Sequence, residues 1–242
     1  MATLLKIEDL SKRFSGLAAL DKVSFEVREG EIVGLIGPNG AGKTTLFSII
    51  AGSQAPTSGK ITYEGRDITG IKSFRAVHAG IARTHQITRP FKSMTVRENV
   101  EVGLQFGRRG SVATLGKEAM EILELVGLHG AAATPAVNLS VGDLKRLELA
   151  RTLAARPRLL LCDEVCSGLT ESEMQSILDL LRRIQSLGTT IIYVEHNLRA
   201  IVSTCQHVVV LNFGRKLAEG PPAHMQSDPA VIEAYIGKKS EA

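Results

Sequence analysis

Residues 37–44 combine glycines, a lysine and a hydroxyl side chain in an order suited to holding a chain of phosphate groups. Glycines leave room for several backbone N–H groups to converge on one phosphate chain. Lys43 is placed to reach the terminal phosphates, and the Thr44 hydroxyl is placed to bind Mg²⁺. The predicted phosphate-binding loop (P-loop) with its first helical residues comprises Gly37, Pro38, Asn39, Gly40, Ala41, Gly42, Lys43, Thr44 and Thr45.

The residues on either side of the P-loop predict the elements that hold it. Ile32–Ile36 has the length and β-branched content of a buried strand, and residues 43–51 predict a helix that Gly52 ends. The positive end of that helix adds to the attraction for phosphate. A plain glycine turn between a strand and a helix is the alternative interpretation of this stretch.

Two carboxylates follow the apolar run 159–162 and form a second candidate group. Carboxylates are almost never fully buried without a partner, so Asp163 and Glu164 are not explained by core packing. An Asp that ends a hydrophobic strand downstream of a P-loop is placed near Mg²⁺. Glu164 is expected to project to the opposite side and to orient or deprotonate a water molecule. A strand end solvated by two acids is the alternative.

Gln86 and His196 are candidates because each lies at the end of a predicted strand. Gln86 ends the predicted strand 81–86, and His196 follows the apolar run 189–194. Ligands of α/β sheets usually bind at the strand ends. We therefore expect both side chains at the edge of the sheet that carries the P-loop.

Phe14 is an aromatic residue in a polar segment, residues 11–16, that is expected to separate short strands at 4–10 and 23–27. Alternation of apolar and polar residues in the second of these predicts one buried and one exposed face. Stacking on a nucleotide base and packing under the sheet are both open for the Phe14 ring.

The rest of the chain is mainly helical in pattern between residues 95 and 155, and mixed beyond. Thr95 is expected to cap the first helix of this region. Further predicted elements are helices at 117–126, 144–155, 171–187 and 229–236 and a hairpin within 208–219.

The composition is that of an ordinary globular protein, with 44% hydrophobic and 22% charged residues among 242. The 29 Lys and Arg barely exceed the 25 Asp and Glu, and no basic run is present, so no nucleic-acid binding is expected. No apolar stretch approaches the roughly 20 residues of a membrane span, and the first residues lack a secretion signal. We expect reduced thiols at Cys162, Cys166 and Cys205, and buried packing rather than metal binding at Cys162 and Cys166.

The segment 139–143, LSVGD, together with the P-loop and the acidic strand, makes nearly the whole chain resemble the ATP-binding subunits of ABC transporters. The resemblance implies an α/β P-loop ATPase with a RecA-like core sheet, an antiparallel β subdomain and a helical subdomain. Residues 1–242 would form one domain, in which 1–94 and 156–242 build the core with the β subdomain and 95–155 the helical subdomain with the signature segment.

The resemblance also implies that ATP and Mg²⁺ are the cofactors and assigns roles to single residues. Catalysis would involve Glu164, His196, Lys43 and Gln86, and Mg²⁺ would be bound by Thr44, Gln86 and Asp163. Phe14 would stack on adenine, and Ser140 with Gly142 would bind the γ-phosphate held by a partner subunit. The chain departs from the commonest family pattern at Val141, Asp143, Val165 and Thr170.

Within the family, the stretches ARTHQITRPFKSMTVRENV and EGPPAHMQSDPAVIEAYIG are most similar to ATPases of branched-chain amino acid importers. This implies ATP hydrolysis that powers import of branched-chain amino acids, or of small polar solutes such as urea and amides. The implied partners are a second ATPase subunit, identical or related, and transmembrane permease subunits. The implied location is peripheral, on the cytoplasmic face of the membrane.

A soluble ABC-type ATPase that acts in DNA repair or on ribosomes is the alternative. Such proteins usually carry a long coiled-coil insertion or two ATPase halves in one chain. Neither feature is visible in this sequence.

Overall fold

The computed structural model describes residues 2–84, 90–107 and 114–236. Helices in these ranges are α1 (Lys43–Ile50), α2 (Ser73–His78), α3 (Val96–Gly107), α4 (Leu115–Val126), α5 (Val141–Leu153), α6 (Glu171–Ser186), α7 (Leu198–Thr204), α8 (Pro222–Ser227) and α9 (Pro229–Ile236). Strands are β1 (Thr3–Phe14), β2 (Leu17–Arg28), β3 (Ile32–Ile36), β4 (Ser58–Tyr63), β5 (Arg66–Asp67), β6 (Ile81–Arg83), β7 (Leu159–Asp163), β8 (Thr190–Val194), β9 (His207–Asn212) and β10 (Arg215–Gly220).

The larger sheet has the strand order β10-β9-β3-β8-β7-β6. Its pairs are parallel from β9 through β6, and β10 pairs antiparallel with β9 as the predicted hairpin. Every residue of β3, β7 and β8 is buried, as expected for strands covered on both faces. Because parallel strands share a direction, the P-loop after β3 lies at the same edge of the sheet as Asp163, which ends β7, and Glu164, which follows it.

The smaller sheet is antiparallel, with the order β2-β1-β4-β5, and it packs on one face of the larger sheet. Successive side chains of a strand point to opposite faces. On β7, Leu159 and Leu161 therefore join the core that includes β1 and β2, whereas Leu160 and Cys162 join the core beneath α3–α6. The predicted α/β fold with a core sheet and a separate antiparallel sheet is confirmed.

Helices α3, α4 and α5 lie within the predicted helical region 95–155 and pack on one another. Thr95 caps α3 as expected, because its Oγ1 accepts the Glu98 N–H at 3.2 Å and Glu98 Oε2 accepts the Thr95 N–H at 2.7 Å. The exact boundaries of a helical subdomain remain a prediction.

The expectation that the polar residues 11–16 separate two short strands is wrong. Strand β1 continues to Phe14, and only Ser15 and Gly16 turn the chain. The strand continues through these polar residues because β1 stays paired with β2 as far as Phe14, and with β4 as far as Ser11 opposite Ser58. Helices α2, α7 and α8 also lack a predicted counterpart, since each is only six or seven residues long.

The three cysteines are free and buried, which confirms the interpretation of Cys162 and Cys166 as packing residues. Burial raises the pKa of all three thiols, to about 11 for Cys166 and about 12 for Cys205.

Among the helices of the described ranges, none combines the length and apolar character needed to cross a membrane.

Candidate functional site

The P-loop joins the end of β3 to the start of α1. Gly37 has φ +147°, and a Cβ at this position would lie 2.1 Å from the Leu211 carbonyl oxygen. Gly42, the residue before α1, has φ +101°, and its Cβ would lie 2.6 Å from the Ala19 carbonyl oxygen. Both positions require glycine, in conformation and in space. The loop is therefore held tightly between β9 and β2, with the N-terminus of α1 directed out of it.

The Lys43 side chain folds back onto the P-loop. Its Nζ donates to the carbonyl oxygens of Gly37 at 2.6 Å and of Pro38 at 3.0 Å. Burial lowers the pKa of Lys43, and the nearby carboxylates of Glu164 and Asp163 oppose that shift. The lysine charge is thus partly desolvated and lies close to both predicted acids.

Asp163 is buried at the end of β7, and the structure supplies the partner that its burial requires. Its Oδ2 accepts a hydrogen bond from Arg83 Nη2 at 2.6 Å, and its backbone N–H donates to Thr84 Oγ1 at 3.0 Å. Thr44 is the other predicted metal ligand within the described residues. It is exposed and lies in the first turn of α1. Arg83 was not singled out from the sequence, because the carboxylate that it contacts lies 80 residues away along the chain.

Glu164 and His196 are brought together, with Glu164 Oε1 3.0 Å from His196 Nε2. The Glu164 backbone has φ +48°, and its N–H donates to the Val194 carbonyl oxygen at 3.0 Å. The expectation that Glu164 projects away from Asp163 stays a prediction. The strand ends at Asp163, and the chain turns at Glu164.

Ser140 and Gly142 lie at the N-terminus of α5, where helical N–H groups favour an anion. Ser140 is the N-cap: its Oγ accepts the Asp143 N–H at 3.1 Å and donates to Asp143 Oδ2 at 2.8 Å. Gly142 is buried beside Glu173. Val141, which lies between Ser140 and Gly142 in the sequence, is exposed. Asp143, which departs from the usual family residue, therefore has a local role in closing the cap.

Comparison with known proteins decides the family. A sequence profile of the ABC transporter family matches residues 20–167, well over half of the chain. The chain belongs to the ABC transporter ATP-binding family. A second profile, described as branched-chain amino acid ATP-binding cassette transporter, matches residues 215–240.

Individual relatives agree with this assignment. The cassette is 38% identical over 251 aligned residues to the high-affinity branched-chain amino acid transport ATP-binding protein LivG of Salmonella typhimurium, covering 97% of this chain and 98% of LivG. It is similar in structure, with a TM-score of 0.90 and 31% identity, to an ATP-binding cassette of an ABC transporter in its ADP conformation, covering 98% and 100%. A dimeric cassette bound to ADP and phosphate has a TM-score of 0.82 and 26% identity, covering 90% and 99%.

Thr170 departs from the common family residue, and the structure gives the cassette a reason for it. Thr170 is the N-cap of α6 in a capping box: its Oγ1 accepts the Glu173 N–H at 3.4 Å, and its own N–H donates to Glu173 Oε2 at 2.9 Å. The N–H and hydroxyl of Thr170 lower the pKa of Glu173.

Replacing Thr170 by Ala is therefore expected to lower the free energy of unfolding of the cassette by about 1 kcal/mol, because an N–H at the helix N-terminus loses its acceptor. Urea unfolding followed by circular dichroism measures the change. Thr170→Ser keeps the acceptor and is the matched control. Equal stability of the Ala variant and the native cassette would show that the cap contributes nothing.

Phe14 and Gln86 are two predicted site residues that take no part in the contacts described above. The Phe14 ring is 43% exposed, with Lys12 Nζ 4.9 Å from its centroid, so it does not pack under the sheet. Gln86 lies within residues 85–89, outside the described part of the chain. Its role stays a prediction.

The C-terminal helix α9 contributes a P-loop contact that the sequence did not reveal. Tyr235 Oη accepts the Gly37 N–H at 2.8 Å. Burial raises the pKa of Tyr235, and the Gly37 N–H partly offsets that shift. A distance of 198 residues separates the two groups along the chain, so no local pattern could have paired them.

Proposed function

We propose that the cassette hydrolyses ATP to power import of branched-chain amino acids. The observation that carries the substrate class is the match of residues 215–240 to the profile of branched-chain cassettes, in a segment where Tyr235 contacts the P-loop. The 38% identity to LivG along 97% of the chain supports the same assignment. It favours a transporter subunit over a soluble ATPase of DNA repair or ribosomes.

The phosphates of ATP are proposed to bind at the P-loop and the N-terminus of α1. Lys43 exchanges its two carbonyl acceptors, on Gly37 and Pro38, for oxygens of the terminal phosphates. Phe14, exposed beside Lys12, is free in space to stack on adenine.

The residues at the sheet edge fit Mg²⁺. A hydroxyl at Thr44 and a carboxylate at Asp163 are hard oxygen donors, and no cluster of three His, Cys, Asp or Glu exists among the described residues. Mg²⁺ is commonly held by one or two carboxylates together with substrate phosphates. Thr44 and Asp163, joined by Gln86, would hold the ion, which supplies neutralisation of phosphate charge when bound.

Glu164 is proposed to orient and deprotonate the attacking water, and His196 to hold Glu164 and contact the γ-phosphate. The 3.0 Å distance between Glu164 Oε1 and His196 Nε2 supports this pairing. The turn of the backbone at Glu164 keeps its carboxylate near Lys43, on the side where the γ-phosphate would lie.

Two ATPase subunits are proposed to enclose two ATP molecules, with Ser140 and Gly142 of one subunit facing the γ-phosphate on the other. The exposed, capped N-terminus of α5 and the dimeric cassette with ADP and phosphate support this arrangement. The second subunit is an identical or a related chain. Both act with transmembrane permease subunits at the cytoplasmic face of the membrane, to which the cassette binds peripherally.

Uptake of labelled leucine and labelled urea by cells that lack this gene tests the substrate class. We expect loss of leucine uptake, recovery with the native gene and with a Glu121→Gln gene altered on the exposed face of α4, and no recovery with Glu164→Gln. Loss of urea uptake with normal leucine uptake would refute the branched-chain assignment.

A further inference from the structure

Arg83 lies between α1, the helix that follows the P-loop, and the end of β7. Its Nη2 donates to Asp163 Oδ2 at 2.6 Å, and its Nη1 donates to Ser48 Oγ at 3.0 Å. The Ser48 hydroxyl donates in turn to the Thr44 carbonyl oxygen at 2.8 Å. The guanidinium carbon is 5.7 Å from the centroid of the Phe47 ring. One side chain thus links the two described residues that are proposed to hold Mg²⁺.

This link is oriented by rigid parts of the fold. Strand β6 pairs in parallel with β7, with Arg83 opposite Leu161, so the guanidinium reaches past the strand end to Asp163. Ser48 lies in the middle of α1, one turn after Thr44. The planar guanidinium fork holds two acceptors at a fixed angle, which a lysine cannot do.

Stability alone does not account for this arginine. The Arg83 and Asp163 side chains are 16% and 3% exposed, so both charges have lost most of their water. A buried ion pair is often no more stable than apolar side chains of similar volume, because desolvation offsets the attraction. The fixed position of the Asp163 carboxylate relative to α1 is what the pair provides.

We propose that Arg83 is a positioning residue for the metal-bound nucleotide: it fixes the Asp163 carboxylate relative to the helix that carries Thr44. The proposal rests on the proposed function. The hydrogen bond from Arg83 goes to one carboxylate oxygen, Oδ2. Side chains that orient a metal ligand typically contribute about 10- to 100-fold to metal affinity.

The experiment compares ATP affinity in Mg²⁺ with ATP affinity in EDTA, by equilibrium dialysis of labelled ATP. Measurements use Glu164→Gln protein, so that ATP is not consumed. We expect Arg83→Met to reduce the gain in affinity that Mg²⁺ produces by about 10-fold, with the affinity in EDTA little changed. Arg83→Lys should restore part of the gain, and Arg97→Met, which alters an exposed ion pair on α3, should leave it intact.

Ser48→Ala provides a second variant that keeps the charge of Arg83 and removes its hydrogen bond to α1. It should reduce the Mg²⁺ effect in the same direction as Arg83→Met, and it keeps the proposal testable if Arg83→Met does not fold.

Three results would overturn the proposal. An unchanged Mg²⁺ effect in folded Arg83 and Ser48 variants would show that neither contact positions the site. A larger Mg²⁺ effect would identify Arg83 as a competitor of the metal. Equal losses of ATP affinity in Mg²⁺ and in EDTA would show that Arg83 affects ATP binding by the P-loop as a whole and not the contribution of Mg²⁺. Failure of the Glu164→Gln parent to bind ATP at all would instead refute the proposed function.

Discussion

Replacing Glu164 by Gln is expected to lower ATP turnover by about 100- to 10,000-fold while ATP binding is retained. The amide keeps the size of the carboxyl group and a partner for His196 Nε2, which lies 3.0 Å from Glu164 Oε1. It cannot accept the proton of the attacking water, so the chemical step loses its base. Phosphate release at saturating ATP measures turnover, and dialysis of labelled ATP measures binding.

Glu121→Gln is the matched control for this variant. Glu121 lies on α4, where its side chain is 64% exposed beside Lys117. The control should turn over ATP at the native rate. Native turnover by Glu164→Gln would remove Glu164 from the role of base and leave His196 without the role of holding that base.

Replacing Lys43 by Met is expected to weaken ATP binding by about 10- to 100-fold, the effect of losing a charged hydrogen bond to phosphate. Met has a similar length and no charge. Burial already lowers the pKa of Lys43, so its charge is costly to keep in the folded protein. The variant should therefore fold as well as the native cassette, and the loss should appear in ATP affinity alone.

Lys117→Met is the control for the loss of a lysine charge, because the Lys117 side chain is 84% exposed on α4. Its ATP affinity should equal that of the native chain. Thermal unfolding of all three proteins separates binding from stability. A folded Lys43→Met protein with native ATP affinity would show that the lysine stays on Gly37 and Pro38 and does not engage phosphate.

The parts of the site that the sequence predicts are those encoded by neighbouring residues. The P-loop follows the apolar strand β3, and Asp163 and Glu164 come at the end of the apolar residues of β7. Each strand places the residues at its end at the edge of the sheet. The turn at Glu164 was missed because a positive φ at a residue other than glycine leaves no pattern in the sequence. The strand through Phe14 was missed because its pairing with β2, which continues to Phe14, outweighs its polar composition.

Contacts between distant segments could not be predicted in this way. Arg83 and Asp163 are 80 residues apart, and their contact depends on the pairing and register of β6 and β7. Tyr235 reaches Gly37 only because α9 packs beside the P-loop. Departures from the family pattern needed the structure as well, since Asp143 and Thr170 both prove to be members of helix caps.

Light scattering of the Glu164→Gln cassette in ATP tests the ATP-sandwich mechanism most directly. We predict a species of twice the mass of one chain with ATP and Mg²⁺, a single-chain species without nucleotide, and loss of the larger species when Ser140 is replaced by Arg at the exposed N-terminus of α5. A single-chain mass at saturating ATP would contradict a sandwich of two identical chains and leave a related second chain as the required partner.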